Sequence, residues 1–287
     1  MIVTPDTFQI PTAVVVAHPG HEVRVHRWLE LSRPEIFILT DGSGRSGESR
    51  LAATSRMLTD MKIKAGNIYG NFTEQSFYNS VLNQELAFFN EIAEELAGAF
   101  KRSKIQIVVG DAAEGYNSTH DVCRLIIDAA VQIANCSSAA KIRNYDFLVV
   151  GMPDSCTADM NNQALWVQLD DDGFARKLEA AEKYHPELLE EVRQAVNGGS
   201  GTLGQYLNEN DIKPAHANGN ALDLFRVECL RPVNDAPPYR KRFCRVPFYE
   251  HHGERQKAAG FYQRTIRYRE HLVPIAQSLS NHARGNC

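Results

Sequence analysis

Two histidines three positions apart stand where an apolar run stops. His18 and His21 enclose Pro19 and Gly20, directly after Ala13-Val14-Val15-Val16-Ala17, and His26 follows five residues later. Neutral imidazole is the commonest nitrogen ligand of zinc, and a mononuclear catalytic site takes three protein ligands and keeps a position open for water. A turn shaped by Pro19 and Gly20 can aim both rings at one ion. His120 is the best third ligand, because it stands where a loop after another strand enters a helix. The competing reading of the same spacing is a helix entry holding one capping and one surface histidine.

The elements that must position these residues alternate along the first half of the chain. Residues 12–18, 35–42, 105–111 and 145–153 read as apolar strands. Residues 21–31, 49–63, 80–102 and 119–135 read as amphipathic helices between them. Continuous apolar strands separated by helices predict a Rossmann-like α/β/α sandwich around a parallel sheet, with ligands at the carboxyl ends of the strands. That rim would gather His18 and His21, then Asp41 and Arg45, then Asp111, Glu114, Tyr116, Asn117 and His120, then Asp154 and Asp159. After about residue 155 the pattern loosens. Helices over 175–196 and 254–279, a loop over 197–204 and a strand over 222–232 predict a C-terminal extension completing one domain of residues 1–287.

Composition narrows the classes of function. The chain has 287 residues, 43% hydrophobic and 23% charged, with a formal charge of −4. It carries no basic footprint for nucleic acid or anionic membrane. No apolar run is long enough for a membrane span, and the N-terminus does not read as a signal peptide. Six scattered cysteines without a CxxC fit reduced thiols in a cytoplasmic protein. The first strand is followed by HPGHE, without the G-x-G-x-x-G of a dinucleotide site.

VVVAHPGHE resembles the A-H-P-D-D-E motif of the PIG-L / LmbE-like deacetylases, zinc enzymes that deacetylate N-acetylglucosamine-type sugars. EGYNSTHD, residues 114–121, is similar to that family's second motif, E-G-G-H-P-D-H, and SRLAAT, residues 49–54, stands where the family opens a helix. The resemblance covers roughly residues 12–155. It implies zinc on His18, His21 and His120, with His21 in place of the family's aspartate. It also exposes two departures. The family's general base falls on Gly20, and the first histidine of the second motif falls on Asn117, which can donate to an oxyanion but cannot serve as an acid.

The resemblance implies a zinc-dependent hydrolase that removes an N-acyl group, foremost N-acetyl, from an amino sugar or similar small polar metabolite. Asp41 and Asp111 are the candidates for the missing base, with Asp41 readable instead as an Asx-turn former. Arg45 and Arg50 in DGSGRSGESR, together with Tyr116, would grip the substrate. Glu22 reads as a helix-entry carboxylate or as one holding a ligand histidine. His252 would supply an acid–base group if the segment PFYEHHGERQ folds over the rim. Phe261, Tyr262 and Tyr268 among arginines offer a face for homo-oligomer formation, and His185, His216, His271 and His282 read as surface residues. The alternatives are a different zinc-dependent reaction on the same scaffold, or a silent metal- or sugar-binding protein.

Overall fold

The first strand, β1 (Thr12–Val16), is buried along its whole length, and its β-branched residues suit a sheet covered on both faces. The computed structural model describes residues 10–44, 47–136, 140–212, 222–233 and 246–287. The other strands are β2 (Glu35–Thr40), β3 (Ala65–Phe72), β4 (Ile107–Asp111), β5 (Arg143–Phe147), β6 (Leu165–Gln168) and β7 (Val227–Pro232). They form one sheet in the order β3-β2-β1-β4-β5-β7-β6. The first five run parallel, and β7 is antiparallel to both β5 and β6.

Alternation along the strands divides the core in two. Ala13, Val15, Phe37, Leu39 and Val108 face one side, under α4 (Leu86–Arg102), α5 (Ser118–Cys136) and α11 (Val273–Gly285). Val14, Val16, Ile36, Ile38, Ile107 and Val109 face the other, under α1 (His26–Ser32), α2 (Leu51–Met61) and α7 (Asp171–Tyr184). The expected α/β sandwich is therefore present. The chain reverses its direction of sheet growth between β1 and β4, and such a switch point opens a crevice at the strands' carboxyl ends. His18 and His21 follow β1, and His120 follows β4.

The remaining helices are α3 (Glu74–Leu82), α6 (Ala158–Asn161), α8 (Pro186–Val196), α9 (Thr202–Glu209) and α10 (Phe248–Ala258). Several differ from the sequence expectation. The strand β3 has no clear apolar pattern, because AGNIYGNF lies at the sheet edge, half exposed, with register shifts against β2. The helix expected over 80–102 divides at Gln84, which adopts a left-handed φ of 53°. That expected over 175–196 divides at His185-Pro186, since a proline ring blocks helix continuation. Thr202 opens a helix inside the segment read as a loop, and the closing helix is two, α10 and α11. Tyr268 is buried in the core, so it adds nothing to an oligomer face, whereas Phe261 is exposed. Cys136 and Cys287 are joined as a disulfide at the end of α5, which corrects the expectation of six reduced thiols. Cys123, Cys156 and Cys229 are free, and Cys244 lies outside the described residues. No helix among the described residues is long and apolar enough to cross a membrane.

The C-terminal part reaches back to the histidine turn through one buried ion pair. Glu228 on β7 accepts the amides of Arg27 and Trp28 at the start of α1, at 2.9 and 2.8 Å. Lys177 on α7 donates to Glu228 at 2.9 Å and to the carbonyl of Arg24 at 2.7 Å. Both side chains are almost wholly buried. Lys177→Met would leave the Glu228 carboxylate buried without its counter-charge, and a stability loss of about 3–5 kcal/mol is expected in urea unfolding.

Candidate functional site

The turn after β1 is built for closeness. Pro19 ends the strand's hydrogen bonding, and Gly20 takes a φ of 105°, a conformation that side chains with a Cβ rarely adopt. His21 then opens a 3₁₀ turn, His21–Val25, that leads into α1. From the other side of the switch point, α5 brings in His120 on its first turn. The loop ahead of α5 is held on several sides. Asn117 Oδ1 accepts the Thr119 amide at 2.8 Å, and Asp121 Oδ1 accepts the amides of Glu114 and Gly115. The Glu114 carboxylate accepts three amides, from Val149, Val150 and Gly151, tying this loop to the one after β5.

His18, His21 and His120 meet there, each buried, with ligand-capable nitrogens all within 4.8 Å of one another. Their rings are mutually tilted, with centroids 5.1, 4.9 and 4.5 Å apart. Two carboxylates set the tautomers. His21 Nδ1 lies 2.8 Å from Asp111 Oδ2, and His18 Nδ1 lies against Glu74 and 2.9 Å from Thr40 Oγ1. A carboxylate only accepts, so each Nδ1 carries the proton and each Nε2 keeps its lone pair. His120 Nδ1 is buried with no hydrogen-bond partner among the described residues. Burial, then the neighbouring histidines, hold the pKa of His21 and His120 well below the ordinary value, so both rings are neutral donors at pH 7. Three buried imidazoles converging on one point, with two carboxylates behind them, fit a zinc ion, whose positive charge those carboxylates offset.

The other residues singled out in the sequence have different positions. Asp111 is fully buried, and burial pushes its carboxyl up to about 6. Its Oδ2 is committed to His21 and to the Ala17 amide, while its Oδ1 is buried with no hydrogen-bond partner among the described residues. Asp41 Oδ1 accepts the amides of Ser43 and Glu74, so it forms the Asx turn and fastens the start of α3. Glu22 takes the helix-entry position, in the first turn of His21–Val25. It accepts the Gly20 amide at 2.8 Å and the Thr54 hydroxyl at 2.8 Å. Arg50 donates to the Gly42 carbonyl, and its charge acts on His21, His120 and Glu191, so it stands at the mouth of the site. Tyr116 lies beside His120, with ring centroids 6.1 Å apart, and its hydroxyl is 3.5 Å from Glu191. His252 stacks on Phe248, which stacks on Tyr116, so it borders the aromatic flank of the site. Arg45 lies outside the described residues, as does His216. His185 and His271, read as surface residues, are buried.

Glu74 is the functional residue that sequence reasoning missed. It was legible as a helix start, since Thr73 caps α3 through the Ser76 amide and an acidic residue follows it. Burial alone would raise the Glu74 carboxyl, but the adjacent His18 outweighs it and holds the pKa below the ordinary value. Glu191, on α8, had no local signal.

No family model matches the chain, and no curated protein matches it. Among solved structures it is similar to a triple mutant of a deacetylase of the teicoplanin biosynthetic pathway, at 13% identity and a TM-score of 0.47, over 79% of this chain and 100% of that one. The zinc-inhibited form of teicoplanin deacetylase Orf2 is similar at 12% identity and a TM-score of 0.42, over the same shares. A likeness this distant bears on neither substrate nor mechanism.

A side chain at position 20 would be strained by the backbone and would displace the Leu188 methyl. A Cβ there would lie 2.4 Å from Leu188 Cδ1, on a backbone of positive φ. Gly20→Ala is expected to lower stability by about 1–3 kcal/mol in thermal or urea unfolding, from backbone strain alone. For the carboxylates, Glu74→Gln and Asp111→Asn should each weaken zinc binding roughly 10–100-fold, measured against a competing chelator.

Proposed function

We propose that the chain is a zinc-dependent hydrolase that removes an N-acyl group, foremost N-acetyl, from an amino sugar or similar small polar metabolite. The observation that carries this reading is the convergence of His18, His21 and His120 at a strand-end crevice, with Glu74 and Asp111 fixing two of the rings. The motif resemblance supplies the reaction class. Zinc bound at such a site polarises an acyl oxygen and lowers the pKa of bound water.

The chain's own residues then have distinct tasks. His18, His21 and His120 hold the ion. Glu74 and Asp111 keep His18 and His21 in one tautomer and orientation, so that no reorganisation is needed when charge develops. Asn117 spends its Oδ1 on the α5 cap, which leaves its amide Nδ2 as the end that donates to an oxyanion. Arg50, Glu191 and the Tyr116 hydroxyl form a polar mouth suited to hydroxyl groups, and Tyr116, Phe248 and His252 give it an aromatic side suited to a sugar face. His252, stacked on Phe248, is a candidate to offer a proton from that side. The substrate is a small molecule.

A second reading, a different zinc-dependent reaction on the same scaffold, is favoured by Gly20. A Cβ there would meet Leu188 and His185 on a backbone of positive φ, which disfavours a carboxylate-bearing residue.

The test is release of free amine from N-acetylglucosamine-type substrates. Turnover is expected in the zinc-loaded protein, lost with a chelator, restored by zinc and lost in His120→Ala. Arg50→Ala should raise KM about tenfold, the loss of one charge-assisted hydrogen bond of about 1.5 kcal/mol. Zinc-loaded protein that leaves every N-acyl amino sugar intact would refute the deacetylase reading in favour of the second.

A further inference from the structure

The corner between α7 and α8 carries a buried histidine that the proposed reaction does not use. His185 is 1% exposed, its amide closes α7 on the Ala181 carbonyl, and its own carbonyl accepts the Leu188 and Leu189 amides of α8. Its backbone is therefore fixed by both helices. Its Nε2 lies 3.1 Å from Thr54 Oγ1 on α2. Thr54 donates its one hydroxyl proton to Glu22 Oε1 at 2.8 Å. The bond to His185 must then run the other way, from Nε2–H to Thr54 Oγ1. Glu22 is wholly buried, and its second oxygen accepts the Gly20 amide at 2.8 Å.

This is a chain of three hydrogen bonds, His185 to Thr54 to Glu22 to the Gly20 amide, and it ends on the peptide between two proposed metal ligands. The other edge of the ring gives no rival to this bond. Nδ1 has no hydrogen-bond partner among the described residues, and Glu187 Oε1 lies 3.9 Å away. The ring there borders a small cavity walled largely by Gly20, Val23, Leu188, Leu189, Val192 and Phe225. Nδ1 also stands 3.3 Å from where a Cβ on Gly20 would be, so the imidazole packs on the turn as well as bonding toward it.

We infer that His185 is a positioning residue for the metal-binding turn, acting through Thr54 and Glu22 to hold the Gly20 amide and thereby the spacing of His18 and His21. The inference rests on the metal reading of the site. It assigns α8, which also carries Glu191 at the mouth, a role in setting the ion's geometry from outside the ligand set. His185 Nε2 also lies 3.7 Å from Glu22 Oε1, so Thr54 bridges a contact that is too long to be a hydrogen bond by itself, and its loss loosens the Glu22 carboxylate that holds the Gly20 amide.

Thr54→Val removes the relay at nearly constant volume, and Thr54→Ser restores it. His185→Leu and His185→Gln form a second pair, since glutamine can still donate to Thr54. Zinc affinity by chelator competition, the visible absorption of the cobalt(II)-substituted protein and urea unfolding of the metal-free protein would be measured for each. Thr54→Val and His185→Leu are expected to bind zinc roughly 10–100-fold more weakly and to shift the cobalt bands, while Thr54→Ser and His185→Gln recover both. A role in packing alone would lower the unfolding midpoint and leave zinc affinity and cobalt spectrum unchanged. Folded Thr54→Val with wild-type affinity would therefore overturn the inference and leave the metal reading standing. Wild-type protein that takes up no zinc would overturn both.

Discussion

Burying three imidazoles side by side is the constraint around which the molecule is organised. Desolvation keeps His21 and His120 neutral, and neutral rings have lone pairs that need an acceptor of electron density. A divalent cation answers that need, and its charge in turn calls for carboxylates nearby. Glu74 and Asp111 meet both demands, since each accepts a hydrogen bond from the Nδ1–H of one ring and adds a negative charge behind it. Without them the rings could rotate or exchange tautomers. The rest of the structure can be understood as what keeps these few groups in register.

The sheet contributes most of that registration. Strands β1 and β4 are hydrogen-bonded neighbours, so the loops leaving them start only a strand spacing apart. Asp111, the last residue of β4, reaches across to the Ala17 amide at the end of β1 and to His21 beyond it. Thus one carboxylate joins the two strand ends to the turn. Asp41 plays the matching part after β2, because it fastens the α3 amide of Glu74 and so places the carboxylate that meets His18. Both rim aspartates thus hold backbone amides at the strand ends.

Much of this was legible in the chain. The buried strands β1, β2 and β4 were clear because β-branched runs have no other comfortable place. The triplet His18, His21 and His120 followed from strand ends and helix entries, and the structure does bring the three together. What stayed hidden depends on long-range contacts. Nothing local to Glu74, Thr54 or His185 says that it approaches the turn, nor to Glu191 that it approaches Tyr116, because these contacts are made between separate elements. His185 has the appearance of a helix-surface histidine until Pro186 is seen to divide the helix and fold the corner inward. Asp41 and Asp111 were found as rim carboxylates, but their hydrogen bonds, which decide their roles, are tertiary. The edge strand β3 was missed because two glycines and two asparagines conceal its pairing.

The most direct test of the account is the zinc K-edge X-ray absorption spectrum of protein purified with zinc supplied, recorded beside its metal content. The account predicts about one zinc per chain, a nitrogen–oxygen coordination shell near 2.0–2.1 Å and the outer-shell scattering of three imidazoles. Protein without zinc, or a shell containing sulfur or fewer than two imidazoles, would contradict it.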